Sequence, residues 1–214
     1  MFVSDWMTKK VFTVGLDDYL ADAVSLMGEK QIKHVPVLKN GKLKGIVSDR
    51  DIKEYCPSKA TTLDIYELHY LLAKTKIKDI MKTGVTTTTP DTPVEEAAMT
   101  MLDNNIGCLP VLEGGTLVGI ISDRDIYRAL VDITGVRHGG TRICVTVEDR
   151  PGSIREVADI IRDHKFRLQG ILTSYEGVKE GYRKVVLRTK GQGDYSGLKA
   201  ELESRFRVCR IKKG

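Results

Sequence analysis

The sequence predicts an α+β protein built from two copies of a βαββα unit, followed by a ferredoxin-like βαββαβ unit. The chain aligns with itself at an offset of 74 residues, apolar residues recur with helical and then strand periods in each copy, and the pattern changes at Thr141. We therefore expect a first repeat at residues 1–76, which includes a linking helix at 61–74. A second repeat is expected at 77–135 and a third domain at 141–214.

The internal duplication runs without a gap between residues 3–52 and 77–126, and 20 of the 50 aligned positions are identical. Its final block is almost unchanged between the copies. The block reads Gly45-Ile46-Val47-Ser48-Asp49-Arg50-Asp51-Ile52 in the first copy and Gly119-Ile120-Ile121-Ser122-Asp123-Arg124-Asp125-Ile126 in the second. Such a duplication indicates that both copies form the same supersecondary unit.

Each copy begins with a helix and continues into two strands. We expect Asp17 or Asp18 to open the first helix, and a capping box at residues 92–95, with proline at the first helical position, to open the second. The apolar residues that follow recur at i, i+3, i+4 and i+7, which predicts one buried helix face. Asn40-Gly41 and Gly114-Gly115 join the strands and accept the positive φ of a tight hairpin.

The composition excludes several classes of protein. No segment approaches the roughly 18–20 apolar residues of a membrane span, and the start of the chain has no apolar signal core, so a cytoplasmic location is expected. The four cysteines and four histidines show neither disulfide nor metal-ligand spacing. Residues 141–214 hold 17 Lys/Arg against 10 Asp/Glu, which indicates either a solvated basic face or an anionic partner.

The order of features within each copy resembles a known family. Both copies carry an apolar strand around a proline, then the hairpin, and then a Ser-Asp-Arg-Asp ending, with the same spacing in each copy. The two proline strands are Val35-Pro36-Val37-Leu38 and Leu109-Pro110-Val111-Leu112. This order is similar to that of the CBS domain, and two copies in tandem resemble a CBS pair, or Bateman module, over about residues 1–132. The resemblance implies that the repeats pack about a pseudo-twofold axis, and that adenosine-containing ligands bind in the two clefts between them.

The ribose-binding motif of that family corresponds to Ser48 with Asp51 and to Ser122 with Asp125. An ionised carboxylate can accept hydrogen bonds from both hydroxyls of a ribose, and a serine at a helix start lies beside backbone N–H groups that suit phosphate. The same spacing is also that of a capping box, which needs these residues only to start a helix. We expect at least one of the two aspartates to contact ribose, with helix capping alone as the alternative.

The cations that would bind phosphate differ between the copies. The first copy has Lys33-His34 just before its proline strand, where the second has Gly107-Cys108. We therefore expect two unequal sites, with the phosphorylated ligand bound in the cleft near Lys33 and His34. An exposed lysine and a half-buried histidine without a ligand are the alternative.

Four more residues complete the expected nucleotide sites. Arg50 and Arg124 carry fork-shaped guanidinium groups that can neutralise phosphate. The resemblance implies that Thr13 and Thr87 lie near the base, although β-branched residues also favour strands for their own sake. The expected ligand is AMP, ADP or ATP, with S-adenosylmethionine or NAD as alternatives, and no catalytic cofactor is expected.

From Thr141 onward the predicted order of elements is ferredoxin-like. The first strand leads into Asp149-Arg150-Pro151-Gly152, and Ser153 with Glu156 reads as a capping box for the next helix. Loop and order resemble the ACT domain over about residues 141–212. The resemblance implies paired domains and an amino acid at this loop, where Asp149 would bind its ammonium group, Gly152 would allow close approach and the helix start at Ser153 would bind its carboxylate. A simple turn in a domain that only dimerises is the alternative.

A CBS pair followed by an ACT-like domain resembles the acetoin-utilisation AcuB family, usually described as regulatory proteins of carbon metabolism. The sequence has no nucleophile–base signature and no phosphate loop, so an enzyme is not expected. RNA binding is not expected either, because Tyr182 is not followed by the aromatic residues that an RNA-recognition strand uses. We expect a homodimeric ligand sensor; the alternative is an interaction scaffold without a small-molecule ligand.

Overall fold

In this computed structural model the described residues are 1–56, 65–206 and 209–213, without the side chains of 65–69 and 209. The chain divides into two compact units, Met1–Tyr127 and Arg128–Gly214. The predicted linking helix is described from residue 65 onward, and its expected start at 61–64 lies outside the described residues.

The first unit contains the first repeat and the second repeat as far as Tyr127. The repeats have the same order of elements except near the start, where the first has a strand at Val14–Gly15 and the second has only an isolated parallel bridge between Thr88 and Val111 in place of the predicted strand. The first repeat comprises α1 (Val3–Trp6), β1 (Val14–Gly15), α2 (Leu20–Lys30), β2 (His34–Lys39), β3 (Lys42–Ser48) and α3 (Asp49–Tyr55). After α4 (Ile65–Lys74), the second comprises α5 (Ile77–Ile80), α6 (Val94–Asp103), β4 (Cys108–Glu113), β5 (Thr116–Ser122) and α7 (Asp123–Ile133). In each repeat the two long strands pair in antiparallel fashion.

The hairpin prediction is confirmed in both repeats. Asn40 and Gly41 have φ values of 51° and 74°, and Gly114 and Gly115 have 56° and 81°. Positive φ at both central residues gives the turn a twist that matches the twist of the flanking strands.

Two predicted helix starts are wrong, for a shared reason. The helix α2 begins at Leu20, because Asp22 accepts a hydrogen bond from the Tyr19 backbone N–H at 3.0 Å, while Asp18 closes the preceding turn on Gly15. The helix α6 begins at Val94 without a side-chain cap, and the Thr92 hydroxyl accepts from the Thr89 backbone instead. In both places the polar residue before the helix stabilises a turn, not the first helical turn.

Each repeat is completed by the segment that precedes the other one. Val3, Trp6 and Met7 pack into the core of the second repeat, and Ile77 and Met81 pack into the core of the first. Backbone bridges between Thr8 and Ile120, and between Lys82 and Ile46, fasten these segments. The crossing segments lie so close that a Cβ atom at Gly45 would be 2.6 Å from the Met81 sulfur and 2.9 Å from the Lys82 carbonyl oxygen. The two repeats are therefore interlocked.

The second unit has the ferredoxin-like order that the sequence predicts. Its elements are β6 (Thr141–Glu148), α8 (Ser153–Asp163), β7 (Arg167–Ser174), β8 (Tyr182–Lys190), α9 (Tyr195–Arg205) and β9 (Cys209–Lys213). The sheet order is β7-β8-β6-β9, with all neighbours antiparallel. Alternate residues of β6 and β8 face α8 and α9 and form the core, which includes Ile143, Val145, Val185 and Leu187.

Among the described residues, no helix is long and apolar enough to cross a membrane. Within the same part of the chain, no group of three or more His, Cys, Asp or Glu side chains is arranged to hold a metal ion.

Candidate functional site

A cavity of about 610 Å³ opens between the two repeats and is lined by residues from both. The first repeat supplies His34 and the end of β3 with the start of α3. The crossing segment at 82–86 and the second repeat supply the remaining walls. Its polar lining includes Ser48, Asp49, Arg50, Asp51, Lys82 and Asp123, and its apolar lining includes Ile46, Val85, Met101, Leu102 and Ile106.

Asp51 uses its two carboxylate oxygens differently. Its Oδ2 accepts hydrogen bonds from the Ser48 backbone N–H at 2.8 Å and from the Ser48 hydroxyl at 2.5 Å, while the Asp51 N–H donates back to that hydroxyl. Its Oδ1 lies 2.7 Å from the Lys82 ammonium group. The capping box is therefore real, yet it occupies only one of the two oxygens.

The charge of Asp51 is stabilised even though the residue is only 7 % exposed. Burial alone would raise the pKa of Asp51, but the nearby Lys82 ammonium group and the hydrogen bonds from Ser48 outweigh it and hold the pKa below its ordinary value. Asp51 is consequently an anion at neutral pH, as the acceptor of a hydroxyl pair should be.

The equivalent residues of the second repeat share two of these cap hydrogen bonds but do not line this cavity. Asp125 Oδ2 accepts from the Ser122 backbone N–H at 3.0 Å and from its hydroxyl at 2.7 Å. Neither residue belongs to the cavity lining, and neither does Arg124. At the position that corresponds to Lys82 in the duplication, the chain has Thr8.

His34 lies at the start of β2 and lines the cavity. A Cβ atom at Gly107 would be 3.2 Å from its imidazole, so the glycine of the second repeat makes room for this ring. Burial lowers the pKa of His34, although Asp49, Asp123 and Asp51 act in the opposite direction. The ring is therefore mostly neutral at pH 7 in the absence of a ligand.

Cys108 shares the cavity with His34 but offers no nucleophile. Burial raises the pKa of its thiol to about 12, so the reactive thiolate is essentially absent at neutral pH.

The remaining sequence-derived nucleotide residues lie elsewhere. Lys33 is exposed and, like Thr13 and Thr87, lies outside the cavity lining, although Thr86 beside Thr87 contributes to it. The structure thus brings together Ser48, Asp51, His34 and Arg50, and not Lys33, Arg124, Ser122, Asp125, Thr13 or Thr87.

Lys82 is the residue that sequence reasoning missed. It enters the cavity because the crossing segment binds the first repeat, with the Lys82 backbone paired to Ile46 of β3. A lysine in one copy against Thr8 in the other was the available signal. Only the interlocked packing shows that this lysine contacts Asp51.

The loop that resembles an ACT binding loop has a different cap from the one expected. Gly152, with φ 87°, precedes α8, and Ser153 is already helical and only 2 % exposed. The predicted capping box is wrong, because the Ser153 hydroxyl accepts a hydrogen bond from Arg183 at 3.0 Å and Glu156 pairs with Arg150 at 2.8 Å. Arg183 and Arg150 thus bind the two side chains, Ser153 and Glu156, that were expected to cap the helix.

Arg183 links two of the predicted amino-acid-binding residues. Its Nε lies 3.4 Å from Asp149 Oδ1, without hydrogen-bond geometry, while its terminal nitrogen binds Ser153. Arg183 therefore presents a guanidinium beside a carboxylate at the start of α8.

Comparison with known proteins concerns the first unit. The CBS domain profile matches residues 3–58 and 77–132, more than half of the chain. A CBS domain-containing protein of Dictyostelium discoideum is 33% identical over 135 residues, which are 62% of this chain and 93% of that protein. A homoserine O-acetyltransferase of Methanococcoides burtonii is 37% identical over 130 residues, 60% of this chain but 24% of that enzyme. The likeness to the enzyme thus concerns a limited part of it.

Solved structures are likewise similar to a little under two thirds of the chain. A protein described as an acetoin utilization protein, AcuB, of Vibrio cholerae is 34% identical, with a TM-score of 0.53 over 64% of this chain and 96% of that one. CBSX2 in complex with AMP is 26% identical, with a TM-score of 0.52 over 62% and 97%. The CBS domain pair of MJ0100, in complex with 5′-methylthioadenosine and S-adenosyl-L-methionine, is 26% identical, with a TM-score of 0.50 over 62% and 97%.

Proposed function

Because this chain belongs to the CBS domain family, we propose that the cavity beside Asp51 binds an adenine nucleotide and that the protein is a ligand-sensing regulator. Two structural neighbours, each 26% identical, hold adenosine derivatives, AMP in one and 5′-methylthioadenosine with S-adenosylmethionine in the other. These complexes support adenosine as the common part of the ligand.

The divided role of Asp51 carries the proposal. One oxygen completes the helix cap, which fixes the orientation of the carboxylate, and the other is not used by the cap and lies against Lys82 of the cavity lining, where it can accept a ribose hydroxyl. Helix capping and ribose binding are therefore compatible functions of one residue. The cavity volume of about 610 Å³ lies within the range of roughly 300–1,000 Å³ that small-molecule sites occupy.

The remaining lining suits the other parts of a nucleotide. Ile46, Met101 and Ile106 offer an apolar surface for a base, and Arg50 with Lys82 offers positive charge for phosphate. His34 becomes a further cation when a bound phosphate raises its pKa.

Calorimetric titration with AMP, ADP, ATP, S-adenosylmethionine and NAD tests this function. We expect a nucleotide to bind at one site per chain, since the described residues form this cavity around Asp51 and not around Asp125. Binding of none of the five ligands would instead support an interaction scaffold.

For the second unit we propose an ACT-like module that pairs two chains and relays the nucleotide signal. The guanidinium of Arg183 beside the Asp149 carboxylate supports a zwitterionic ligand such as an amino acid, which needs both charges. Light scattering would measure the expected homodimer, and thermal shifts with single amino acids would detect the ligand. We also propose an AcuB-like role in carbon metabolism, supported by the likeness to the acetoin utilization protein of Vibrio cholerae, and a cytoplasmic location.

A further inference from the structure

Lys82 occupies an acceptor position that a ribose would need. Asp51 Oδ2 already receives two hydrogen bonds from Ser48, and the buried Oδ1 lies 2.7 Å from the Lys82 ammonium group in an ion pair without hydrogen-bond geometry. The ammonium group therefore stands where a hydroxyl that donates to the lone pairs of Oδ1 would have to stand. Two ribose hydroxyls can bind this carboxylate together only if Lys82 moves away.

The position of Lys82 makes such a movement inexpensive. Its side chain is 63% exposed, and its ammonium group ends a flexible four-carbon stem. Two ribose hydroxyls that donate to the Asp51 carboxylate would replace the stabilisation that its charge loses when Lys82 moves away. Arg50 lines the same cavity, and a phosphate near it would give the released ammonium group a new partner.

We propose that Lys82 is a specificity-determining residue that selects phosphorylated nucleosides over uncharged or cationic adenosine derivatives. A nucleoside must displace Lys82 from Asp51 and offers the released ammonium group no phosphate in return. A nucleotide displaces it too, but its phosphate binds the released ammonium group. A sulfonium ligand adds a repulsive charge. This inference rests on the proposed function and names its ligand class.

The duplication supports a ligand role over a folding role for this lysine. The crossing segments of both repeats make the same backbone bridges, Lys82 with Ile46 and Thr8 with Ile120. Since threonine serves at one of these positions, the interlocked fold does not require a lysine there. The lysine stands beside the cavity, and the equivalent position of the other crossing segment is a threonine.

The test compares AMP with adenosine on Lys82→Met by calorimetric titration of the full chain. We expect AMP affinity to fall about tenfold, because one charge-assisted contact to phosphate is lost. Adenosine affinity should rise about threefold, because the competing ion pair is gone. Lys82→Arg should retain the preference for AMP. Lys78→Met is the matched control, since Lys78 pairs with Asp17 outside the cavity and its loss changes net charge equally.

The outcomes separate the two proposals. Opposite shifts for the two ligands, with unchanged thermal unfolding, support the selective role of Lys82. Shifts in the same direction, or none, while the unmodified protein binds AMP would overturn that role and leave the proposed function standing. Failure of the unmodified protein to bind either ligand would overturn both.

Discussion

The two repeats share their helix caps but differ in what surrounds them. Ser48 with Asp51 and Ser122 with Asp125 make the same hydrogen bonds at the same point of the fold. The side chains facing these caps differ, because Lys82 contacts Asp51 where the second repeat has Thr8. The copies thus retain the helix cap, and they differ in the side chain that stands at the position of Lys82.

The largest expected effect distinguishes the two aspartates. Asp51→Ala and Asp125→Ala each remove one cap partner and should each cost about 1 kcal/mol of unfolding free energy. Only Asp51→Ala should also weaken AMP binding, by about thirtyfold, since a hydrogen bond to a charged acceptor is lost. Denaturant melts and calorimetry measure both quantities. Equal losses of affinity in the two variants would contradict the proposed location of the site.

The equivalent glycines that face the crossing segments, Gly45 and Gly119, should differ in how well they tolerate substitution by alanine. A Cβ atom at Gly45 meets the Lys82 backbone carbonyl at 2.9 Å, whereas Gly119 faces only the flexible side chain of Met7. We expect Gly45→Ala to cost about 2 kcal/mol of unfolding free energy and Gly119→Ala less than half as much. Urea denaturation compares the variants, and equal costs would show that the methionines dominate both contacts.

A smaller loss of unfolding free energy is expected when the pH is lowered. It arises from His34 and not from Cys108, the equivalent residue of the second repeat. Burial holds the pKa of folded His34 below its ordinary value of 6.5, so the unfolded chain binds more protons between the two values. Its contribution to stability is therefore present above pH 6.5 and is lost as the pH falls through the folded pKa. Unfolding free energies at successive pH values should decline less in His34→Cys, which reproduces the second repeat; identical declines would contradict this role.

The smallest effect on AMP affinity is expected for Lys33, which the sequence predicts to bind phosphate but which does not line the cavity. Its exposed side chain lies outside the lining, so Lys33→Ala should change AMP affinity less than about twofold. His34→Ala, one residue further and inside the cavity, should lower it about fivefold at acidic pH. Comparable losses of AMP affinity in both variants would instead support the sequence-based prediction that Lys33 and His34 both bind phosphate.

Much of the fold could be predicted from the sequence because the signals are local. The duplication, the Asn40-Gly41 hairpin and the order of elements after Thr141 depend on neighbouring residues, and each has a counterpart in the structure. The starts of α2 and α6 could not be predicted, because turns competed for the same polar side chains.

The candidate site was less accessible from sequence, because its geometry depends on tertiary packing. Ser48 and Asp51 follow from a motif, but their spacing fits a cap and a ligand site equally well. Lys82 stands far from Asp51 along the chain and reaches it only through the crossing segment. Similarly, Arg183 lies on β8 and donates a hydrogen bond to the Ser153 hydroxyl, which the sequence predicts to cap the next helix.

The interlocked segments also determine the order in which this chain can acquire its structure during synthesis. The core of the first repeat is not complete until Ile77 and Met81 have been translated, although its strands end at Ser48. Val3 belongs to the same core as Ile121 of the second repeat, which is synthesised much later than Val3. Both cores thus depend on contacts between residues distant in sequence, which slows their closure. A nascent chain consequently exposes apolar segments until the second repeat has emerged, and we expect the two repeats to fold together as one cooperative unit.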